Sequence, residues 1–579
     1  MISLYVIISI GLAALPQQVH AQTGPCPLLG AIFPPVQHPL NTTAFSDTIA
    51  NLTSTFKDLD QNGTFKEFNT TLYVQAFSTS DTLFQHGYVP PALKSSLTSG
   101  TLNENTVFRI GSISKLVTVY TLLAEVGMKR MNDPVTKWVP ELARAAKKNK
   151  GDTVRRVQWD EVTIGELSGH LAGIGRDFGL FDMLTQFEST GANPEDYGLP
   201  VLDNNKKISC SVSNATLGPC SRKEFFNGIT SQDSFPVTSS GNTPVYSNFA
   251  YQILAYALEF MTGKSFEKSL KSSLLKPLSM KHTTLEAPKN KKNAMIPDGE
   301  ALSSWSLAFG DASPYGGMFS TAADMTRLGQ SILKSSILPP ATTRSWLKPI
   351  THTADLRMSV GMPWEIRRNL IPLGNNGTRV VDLYTKNGAF GLYTAMLVLS
   401  PDHEMGYVVL CAGENRSYLL SYLPDLLTGA LLPAAEEAAR EKADEQFTGT
   451  FQGPDSHIKV EMDDTLVVRN WTRGDVDVMA VQAALQWPGL DVSVVLRLYP
   501  MGLKGKGRMS FRGIWEVKLA DEPEANDEPS EAVCANWGGI DSLNYGGIGL
   551  DDFEFEVDEN GKATGIRPRA MRETLKRVN

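Results

Sequence analysis

A serine and a lysine three positions apart, Ser112 and Lys115, are the strongest candidates for chemistry in this sequence. On a helix, residues i and i+3 lie on one face about 5–6 Å apart, so the lysine amine can reach the serine hydroxyl. The helix N-terminus adds partial positive charge and N–H groups. A serine hydroxyl becomes a good nucleophile only when a neighbour takes its proton, and a lysine can do so once burial or nearby cations lower its pKa.

The S-x-x-K spacing is not specific by itself, because it recurs six more times in the chain. The other occurrences begin at Ser54, Ser265, Ser273, Ser331, Ser345 and Ser456. Ser112 alone follows a predicted strand and turn, Phe108–Gly111, and opens an apolar helix. The apolar positions that fit one inward-facing side of this helix are Leu116, Val119, Tyr120, Leu122 and Leu123.

Three motifs in a fixed order give a resemblance to a known family. FRIGSISK, residues 108–115, resembles the nucleophile motif of the serine β-lactamase and penicillin-binding protein superfamily, and is most similar to that of class C β-lactamases and their esterase relatives. Tyr246–Asn248 (YSN) resembles the family's Y-x-N motif, and Lys386–Gly388 (KNG) resembles its K-T-G motif with the middle residue changed. The resemblance spans roughly residues 70–430, and its weaker matches are LSGHLAG at 167–173 and GGMFST at 316–321.

The resemblance implies a role for each residue of the catalytic network. Ser112 is the expected nucleophile, Lys115 is expected to lower its pKa, and Tyr246 is the expected general base that later protonates the leaving group. A tyrosine can act in this way only if Lys115 and Lys386 lower its pKa electrostatically. Asn248 and Lys386 are expected to hold this network together and to help bind substrate.

The resemblance also implies how the substrate is held. The oxyanion hole is expected from the backbone N–H groups of Ser112 and Ala389, donors of a kind that contribute about 10²–10³ in rate. Asn387 and Gly388 are expected to bind substrate. Asn387 replaces the family's threonine, which helps to hold the carboxylate of a β-lactam, and antibiotic hydrolysis is therefore disfavoured. His170, in a weaker motif, is expected to bond within a turn rather than to act in catalysis.

The motifs predict an acyl-enzyme and leave its substrate open. The favoured function is a secreted β-lactamase-like serine hydrolase, of esterase or peptidase type, that acts on an ester, amide or thioester through an acyl-serine intermediate. One alternative is an acyltransferase or cyclase of secondary-metabolite biosynthesis, with a cleft that excludes water from the acyl-enzyme. Another is a secreted binding protein without catalysis. The expected substrate is a small molecule or a peptide, and the oligomeric state stays open.

Composition narrows the remaining classes of partner and cofactor. The 579-residue chain has a formal net charge of −8, which disfavours nucleic acid and anionic membrane surfaces as partners. Its eight histidines are scattered without ligand-like spacing. The sequence contains no G-x-S-x-G elbow, H-E-x-x-H helix or phosphate-binding loop motif. No metal and no other cofactor is therefore expected.

The N-terminus has the pattern of a signal peptide over residues 1–21. Residues 2–15 are apolar but too few to span a bilayer, and Val19 and Ala21 are small residues at the −3 and −1 positions of a cleavage site. The mature protein is therefore expected to be extracellular and free of membrane; an uncleaved N-terminal anchor is the alternative. Eight N-x-S/T sequons point to glycosylation in the same compartment. They are Asn41, Asn51, Asn62, Asn69, Asn214, Asn376, Asn415 and Asn470.

The five cysteines are an odd number, so at least one is unpaired or linked to another chain. Cys210 and Cys220 lie ten apart in a polar loop, and a disulfide bond between them is expected in an oxidising compartment. Cys411 lies in the apolar run YVVLCAG and is expected to be a buried free thiol. A bridge between Cys26 and Cys534 stays open.

The resemblance implies an α+β fold of the β-lactamase/transpeptidase type, with an antiparallel sheet flanked by helices and an all-helical region. This catalytic domain is expected over residues 22–432, with residues 22–70 as a polar, glycosylated N-terminal extension. An Ala- and charge-rich linker, helical or extended, is predicted at 433–446. Strand-like patterns separated by Gly, Asp and Pro turns then predict a small, barrel-like antiparallel β domain at 447–579.

Local patterns predict several elements around the motifs. Residues 71–89 read as a strand, a turn and a second strand, and residues 249–262 read as a buried helix that ends at a glycine. Two further strands are predicted at 392–399 and 407–410. Residues 178–240, rich in Gly, Asn, Ser and Asp, are expected to form a long excursion that partly covers a cleft.

Overall fold

The computed structural model describes residues 27–149, 151–180, 182–203, 208–212, 216–232, 234–373, 377–489, 491–519 and 536–578. The predicted signal peptide lies outside these residues. The described chain forms two compact units. One contains residues 36–369 and 380–438, and the other contains the described parts of 1–35, 370–379 and 439–579.

The first unit contains an eight-stranded sheet, apart from residues 370–373 and 377–379, with the strand order β2-β1-β10-β9-β8-β7-β6-β5. β1 is antiparallel to β10, and β9 is antiparallel to both β10 and β8. The short strands β3 and β4 pair with each other. The strand bounds are β1 (Thr70–Ser78), β2 (Thr82–Tyr88), β3 (Phe108–Arg109), β4 (Phe319–Ser320), β5 (Thr351–His352), β6 (Met358–Val360), β7 (Glu365–Leu373), β8 (Gly377–Phe390), β9 (Tyr393–Ser400) and β10 (Met405–Gly413).

The central strands are buried on both faces, since every residue of β1, β9 and β10 is buried. Strands covered on both sides carry nearly continuous apolar runs. The helix Ala322–Leu333 packs on all three of these strands. The hydroxyl of Tyr407 in β10 donates to the carbonyl oxygen of Pro424, in a second helix, at 3.2 Å. Helices and sheet together confirm the predicted α+β class.

Buried helices flank the sheet and carry the motif residues. The predicted helix over 249–262 is confirmed, and it ends at Gly263, whose φ of 68° is the left-handed conformation that glycine adopts without strain. The α-helices of this unit, apart from one that continues beyond residue 438, are Thr43–Gln61, Thr64–Glu67, Ile113–Val126, Pro140–Asn149, Ile164–Ser168, Met183–Thr190, Arg222–Ile229, Phe249–Thr262, Phe266–Leu270, Gly299–Leu302, Ser313–Gly316, Ala322–Leu333 and Pro340–Trp346.

The stretch predicted as an N-terminal extension contains a packed helix. Residues Thr43–Gln61 form an α-helix that contacts β2. Its buried residues Phe45, Leu52 and Phe56 recur at helical spacing, and the Phe56 ring centroid lies 5.2 Å from that of Phe84 in β2. The polar, sequon-bearing positions face solvent around this apolar stripe, so this part of residues 22–70 belongs to the first unit.

The predicted linker at 433–446 lies inside one continuous helix, Arg416–Phe447. This helix therefore continues from the catalytic-domain residues into those of the C-terminal unit without an extended segment. Leucines spaced four apart line its buried side in the first unit: Leu419, Leu423, Leu427 and Leu431.

The C-terminal unit is an antiparallel β-barrel, which confirms the predicted small barrel-like domain. Its strand order is β12-β11-β21-β20-β19-β16-β15-β13-β14, and an additional β12–β13 pairing closes the ring. The helix Val478–Gln486 lies between β14 and β15 in the chain. The strand bounds are β11 (Gly449–Gln452), β12 (Ser456–Met462), β13 (Leu466–Arg473), β14 (Val476–Asp477), β15 (Val492–Gly505), β16 (Arg508–Leu519), β17 (Asn544–Tyr545), β18 (Ile548–Gly549), β19 (Asp552–Val557), β20 (Ala563–Pro568) and β21 (Leu575–Arg577).

Candidate active site

Ser112 stands half-buried at the start of the helix Ile113–Val126, directly after β3 and a turn. The buried Arg109 of β3 donates to the carbonyl oxygen of Trp305 at 3.0 Å. The central guanidinium carbon of Arg109 lies 4.4 Å from the centroid of the Phe319 ring in β4. The β3–β4 pairing and this packing fix the backbone that leads into Ser112.

Lys115 lies one helical turn after Ser112 and is fully buried. Its Nζ atom donates hydrogen bonds to Ser112 Oγ at 2.9 Å and to the carbonyl oxygen of Tyr315 at 2.6 Å. Burial lowers the pKa of Lys115 to about 8; the Lys386 charge acts in the same direction, and Tyr246 opposes it. The structure thus brings together the two residues that the sequence singled out. With a pKa of about 8, the Lys115 amine can lose its proton near neutral pH.

Tyr246 lies next to both lysines and to Ser112. Its ring centroid is 5.0 Å from Lys115 Nζ and 5.4 Å from Lys386 Nζ. Burial by itself raises the pKa of Tyr246, but the positive charges of Lys115 and Lys386 outweigh burial and lower this pKa to about 8. The phenol can therefore lose its proton near physiological pH.

His170 supports the Tyr246 ring from behind. The two rings stack with centroids 4.3 Å apart and an interplanar angle of 22°. His170 Nδ1 accepts a hydrogen bond from the backbone N–H of Ser247 at 3.1 Å, and Nε2 lies 3.3 Å from the Tyr251 hydroxyl. Burial and the nearby cations hold the pKa of His170 well below its usual range, so the ring is neutral. These contacts hold the buried His170 ring within a turn, where it positions Tyr246 instead of contacting a substrate.

Asn248 contacts a carboxylate that the sequence analysis did not single out. The Asn248 side-chain amide donates to Asp177 Oδ1 at 2.5 Å, and its backbone N–H donates to the Arg176 carbonyl oxygen at 2.7 Å. Arg176 pairs with Asp177, with Nε to Oδ2 at 3.4 Å, and its guanidinium carbon lies 4.9 Å from the Tyr246 ring centroid. Burial raises the pKa of Asp177, while Asn248 and Arg176 counteract that effect.

Lys386 in β8 is fully buried and faces Glu365 of the neighbouring strand β7. Lys386 Nζ donates to Glu365 Oε1 and, at 2.8 Å, to the carbonyl oxygen of Asn387. Glu365 Oε2 accepts from the Asn387 backbone N–H at 3.1 Å and from its side-chain amide at 2.7 Å. Burial lowers the pKa of Lys386, but Glu365 and Tyr246 outweigh burial and raise it above its usual value. Lys386 is thus a permanent cation held by an acid.

Two glycines allow the Ser112 segment and β8 to approach closely. A Cβ on Gly111, whose φ is +49°, would lie 2.6 Å from the backbone nitrogen of Ala389. A Cβ on Gly388 would lie 2.1 Å from the Ile110 carbonyl oxygen and 2.6 Å from the backbone nitrogen of Ser112. Neither position has room for a side chain, because the neighbours are backbone atoms. The backbone nitrogens of Ser112 and Ala389, the expected oxyanion donors, thus both lie where the Ser112 segment approaches β8.

Glu365 and Asp177 are the site residues that the sequence analysis missed. Each meets its partner through an element that no motif covers: Glu365 across the β7–β8 strand pair, and Asp177 from the loop after the LSGHLAG motif. Glu365 lies between the buried Trp364 and Ile366, which is the ordinary alternation of a strand, so no local signal in the sequence marks it.

The remaining positions named in the sequence analysis are cysteines and sequon asparagines. Cys210 and Cys220 form a disulfide bond, and Cys411 is a buried free thiol. Cys26, Cys534 and the sequon residues Asn214 and Asn376 lie outside the described residues. Five sequon asparagines are exposed: Asn41, Asn51, Asn62, Asn415 and Asn470; Asn69 is half-buried.

No helix in the described residues is both long and apolar enough to cross a membrane. No group of three or more His, Cys, Asp or Glu side chains in the same residues is placed to hold a metal ion.

The sheet, its flanking helices and the Ser-x-x-Lys, Tyr-x-Asn and Lys-Asn-Gly residues around one point define a protein of the β-lactamase/transpeptidase-like fold. The chain belongs to the Beta-lactamase family, whose family model matches residues 81–422. A second family model, described as "Beta-lactamase-like-like, C-terminal domain", matches residues 439–579. The chain is therefore a member of the β-lactamase-like hydrolase family with a C-terminal barrel.

Known proteins with similar sequences include fungal and bacterial relatives. A "Beta-lactamase-like protein" of Arthroderma benhamiae is 28% identical over 502 residues, which cover 80% of each chain. "Probable hydrolase M10" of a Phoma species is 24% identical over 71% of this chain and 65% of its own. The "D-alanyl-D-alanine-carboxypeptidase/endopeptidase AmpH" of Escherichia coli is 26% identical over 53% of this chain and 71% of its own.

Proposed function

We propose that this protein is a serine hydrolase that acts through an acyl-enzyme on Ser112. The observation that carries the proposal is the 2.9 Å hydrogen bond from Lys115 Nζ to Ser112 Oγ, with the Tyr246 ring centroid 5.0 Å from the same Nζ atom. Because the lysine donates to the serine oxygen, the serine hydroxyl proton is left to point toward Tyr246. Tyr246 is thus the better placed group to accept that proton, and Lys115 stabilises the resulting phenolate.

The reaction follows in two halves with the same groups. The Tyr246 phenolate takes the Ser112 proton while Oγ attacks the substrate carbonyl, and the backbone N–H groups of Ser112 and Ala389 receive the developing oxyanion. Tyr246 then gives its proton to the leaving group as the bond from the carbonyl carbon to that group breaks. In the second half, Tyr246 takes a proton from water, the water oxygen attacks the acyl carbon, and Ser112 is released with its proton restored.

The proposed substrates are esters, amides or thioesters, because all three present a carbonyl carbon with a leaving group. The relatives named as a probable hydrolase and as a carboxypeptidase/endopeptidase support hydrolysis over binding alone. Asn248 and Gly388 contribute as positioning groups: the Asn248 side-chain amide bonds to Asp177, and Gly388 lets β8 approach Ser112.

Covalent labelling tests this proposal directly. The mature protein is treated with a fluorophosphonate probe, and the modified peptide is located by mass spectrometry. We expect one adduct, on Ser112, and competition of that adduct by a neutral aryl ester that the protein also hydrolyses. Labelling elsewhere, or no labelling of a protein with an intact thermal transition, would contradict an acyl-Ser112 intermediate.

The pH dependence of kcat/KM is expected to follow the Lys115–Tyr246 pair. Below about pH 8 both groups hold their protons and Ser112 has no base. Loss of one proton from the pair creates the base, so kcat/KM for a neutral ester should rise about tenfold per pH unit below that point and level off above it. Tyr246→Phe should lose the rise and about 10²-fold in rate. A profile of the parent protein that is flat across this range would contradict the assignment.

We also propose that the protein is secreted and N-glycosylated. The exposure of five sequon asparagines supports this proposal, because a glycan needs an accessible side chain. After expression in a eukaryotic host, protein from the culture medium should begin at Gln22 and lose mass on treatment with an N-glycosidase. Medium protein that retains residues 1–21, or whose mass is unchanged by the glycosidase, would contradict secretion by a cleaved signal or glycosylation, respectively.

A further inference from the structure

The leaving group of any substrate must lie next to Tyr246, because Tyr246 is the proposed source of its proton. The same side of the site contains Lys386, whose Nζ atom is 5.4 Å from the Tyr246 ring centroid. A buried lysine at this place would ordinarily attract a carboxylate on the leaving group. The charge that a substrate meets there therefore depends on whether Lys386 is already paired.

Lys386 is already paired, with an acid from the neighbouring strand. Its ammonium group donates to Glu365 Oε1, and its side chain is fully buried, while the Glu365 side chain is 16% exposed. The open side of this pair thus presents the carboxylate rather than the ammonium group. A second anion placed here would meet Glu365 first and would be repelled.

Glu365 also engages the donors of Asn387. Both the backbone N–H and the side-chain amide of Asn387 are directed to Glu365 Oε2, at 3.1 and 2.7 Å. A carboxylate on a leaving group would have to displace Glu365 from three donors, one from Lys386 and two from Asn387, to be bound here. The cost of leaving Glu365 unpaired opposes that exchange.

Arg176, the third cation near Tyr246, does not replace Lys386 as a partner for a substrate carboxylate. Arg176 is paired with Asp177, and that carboxylate is in turn bonded to Asn248. Lys386 is balanced by Glu365, and Arg176 is balanced by Asp177. Lys115 is balanced by the Tyr246 phenolate once the pair has lost its proton. Once that proton is lost, above about pH 8, each of these three cations has its own anion.

We propose that the network of Glu365, Lys386 and Asn387 sets the substrate class of this site, so that it accepts acyl compounds whose leaving group is uncharged and rejects those with a carboxylate beside the scissile bond. The effect of this network on turnover rests on the proposed acyl-Ser112 function. The inference names Glu365 as the residue that determines specificity on the leaving-group side. Neutral esters fit this class; acyl compounds with a carboxylate on the leaving group do not.

The test compares two esters with the same acyl group, phenyl phenylacetate and its 3-carboxyphenyl counterpart. The parent is expected to prefer the phenyl ester. Glu365→Gln removes the negative charge and keeps the shape, so the ratio of kcat/KM for the carboxyphenyl ester to that for the phenyl ester should rise about tenfold or more. Intrinsic reactivity differences between the esters cancel when this ratio is compared between proteins. An unchanged ratio in a folded Glu365→Gln protein would overturn the inference.

Asp382→Asn is the matched control. Asp382 lies on the same strand as Lys386, and its partner Arg368 lies on the same strand as Glu365. The distance from Arg368 Nε to Asp382 Oδ1 is 3.1 Å, and the Asp382 side chain is 15% exposed, similar to that of Glu365. The substitution removes one negative charge from the same strand pair, four residues from Lys386 in sequence. The ester ratio should match that of the parent; a rise equal to that of Glu365→Gln would assign the effect to net charge and overturn a role specific to Glu365.

A binding measurement separates this inference from the catalytic proposal. In a Ser112→Ala background, calorimetry compares benzoate with benzamide, and Glu365→Gln should tighten the binding of benzoate about tenfold or more without changing that of benzamide. Benzoate that binds Ser112→Ala more tightly than benzamide does, with Glu365 intact, would overturn the inference even if Glu365→Gln failed to fold. A parent that hydrolyses neither ester would count against acyl-Ser112 catalysis, while the benzoate result would still decide the role of Glu365.

Discussion

Ser112→Ala is expected to reduce kcat for a neutral ester by about 10⁴-fold or more and to abolish labelling by a fluorophosphonate. The reason is that the substitution removes the only atom proposed to bond with the acyl group, whereas Lys115 and Tyr246 have no other nucleophile to activate. Folding should be unaffected, because the Ser112 side chain makes no capping hydrogen bond to its helix. Initial rates, adduct mass and the midpoint of thermal unfolding measure these three expectations.

Ser265→Ala is the control for this substitution. Ser265 also begins an S-x-x-K sequence, and its side chain caps the helix Phe266–Leu270 by accepting from the Lys268 backbone N–H. Its loss should cost about 1 kcal/mol of stability and leave activity intact. Ser112→Ala should thus lose activity and keep its stability, whereas Ser265→Ala should lose stability and keep its activity. Retention of more than about a hundredth of the parent rate by Ser112→Ala would rule out Ser112 as the nucleophile.

Lys115→Met is expected to lower kcat by about 10³-fold and to change the pH dependence of the remainder. Without the Lys115 charge, the pKa of Tyr246 should rise above its present value of about 8, since burial then acts against Lys386 alone. The residual activity should therefore keep increasing with pH beyond about 8 instead of levelling off. A merely structural lysine would lower the rate without moving this inflection, so the full pH profile is the deciding measurement.

Lys268→Met provides the corresponding control for spacing, because Lys268 has the same S-x-x-K context but an exposed side chain. Its substitution should change neither rate nor pH profile. The thermal stability of Lys115→Met should equal or exceed that of the parent, since methionine replaces a buried charge with an apolar group of similar length. A parent-like pH profile in Lys115→Met would contradict the proposed coupling to Tyr246.

The sequence predicted those parts of the site that depend on short-range geometry. Ser112 and Lys115 meet because residues three apart share a helix face, a relation that holds in any fold. Tyr246 and Lys386 are far from them in sequence, and only the ordered family motifs indicated that they belong together. Glu365 could not be placed, because its contact with Lys386 depends on which strands are neighbours in the sheet, and this pairing is not written in the spacing of either segment.

The same distinction explains the differences in the fold. The helix over Thr43–Gln61 was missed because polar residues and sequons dominate its sequence, although Phe45, Leu52 and Phe56 carry a helical stripe. The sequence of 433–446 did not distinguish a helix from an extended chain. Its alanines and alternating charges permit a solvated helix, but they form no strong apolar face that would require one. The residues before it settle the conformation, since the helix begins at Arg416 and continues through to Phe447.

Closure of the C-terminal barrel has a consequence for self-association. In an open sheet, each edge strand presents unpaired backbone N–H and C=O groups to which a second chain can add. The β12–β13 pairing joins the two ends of the described ring, and the two-residue strand β14 pairs with Thr472 and Arg473 of β13. Protection against strand addition and amyloid-like stacking is therefore provided by the backbone connectivity of this unit and does not depend on lysines or prolines placed along an edge.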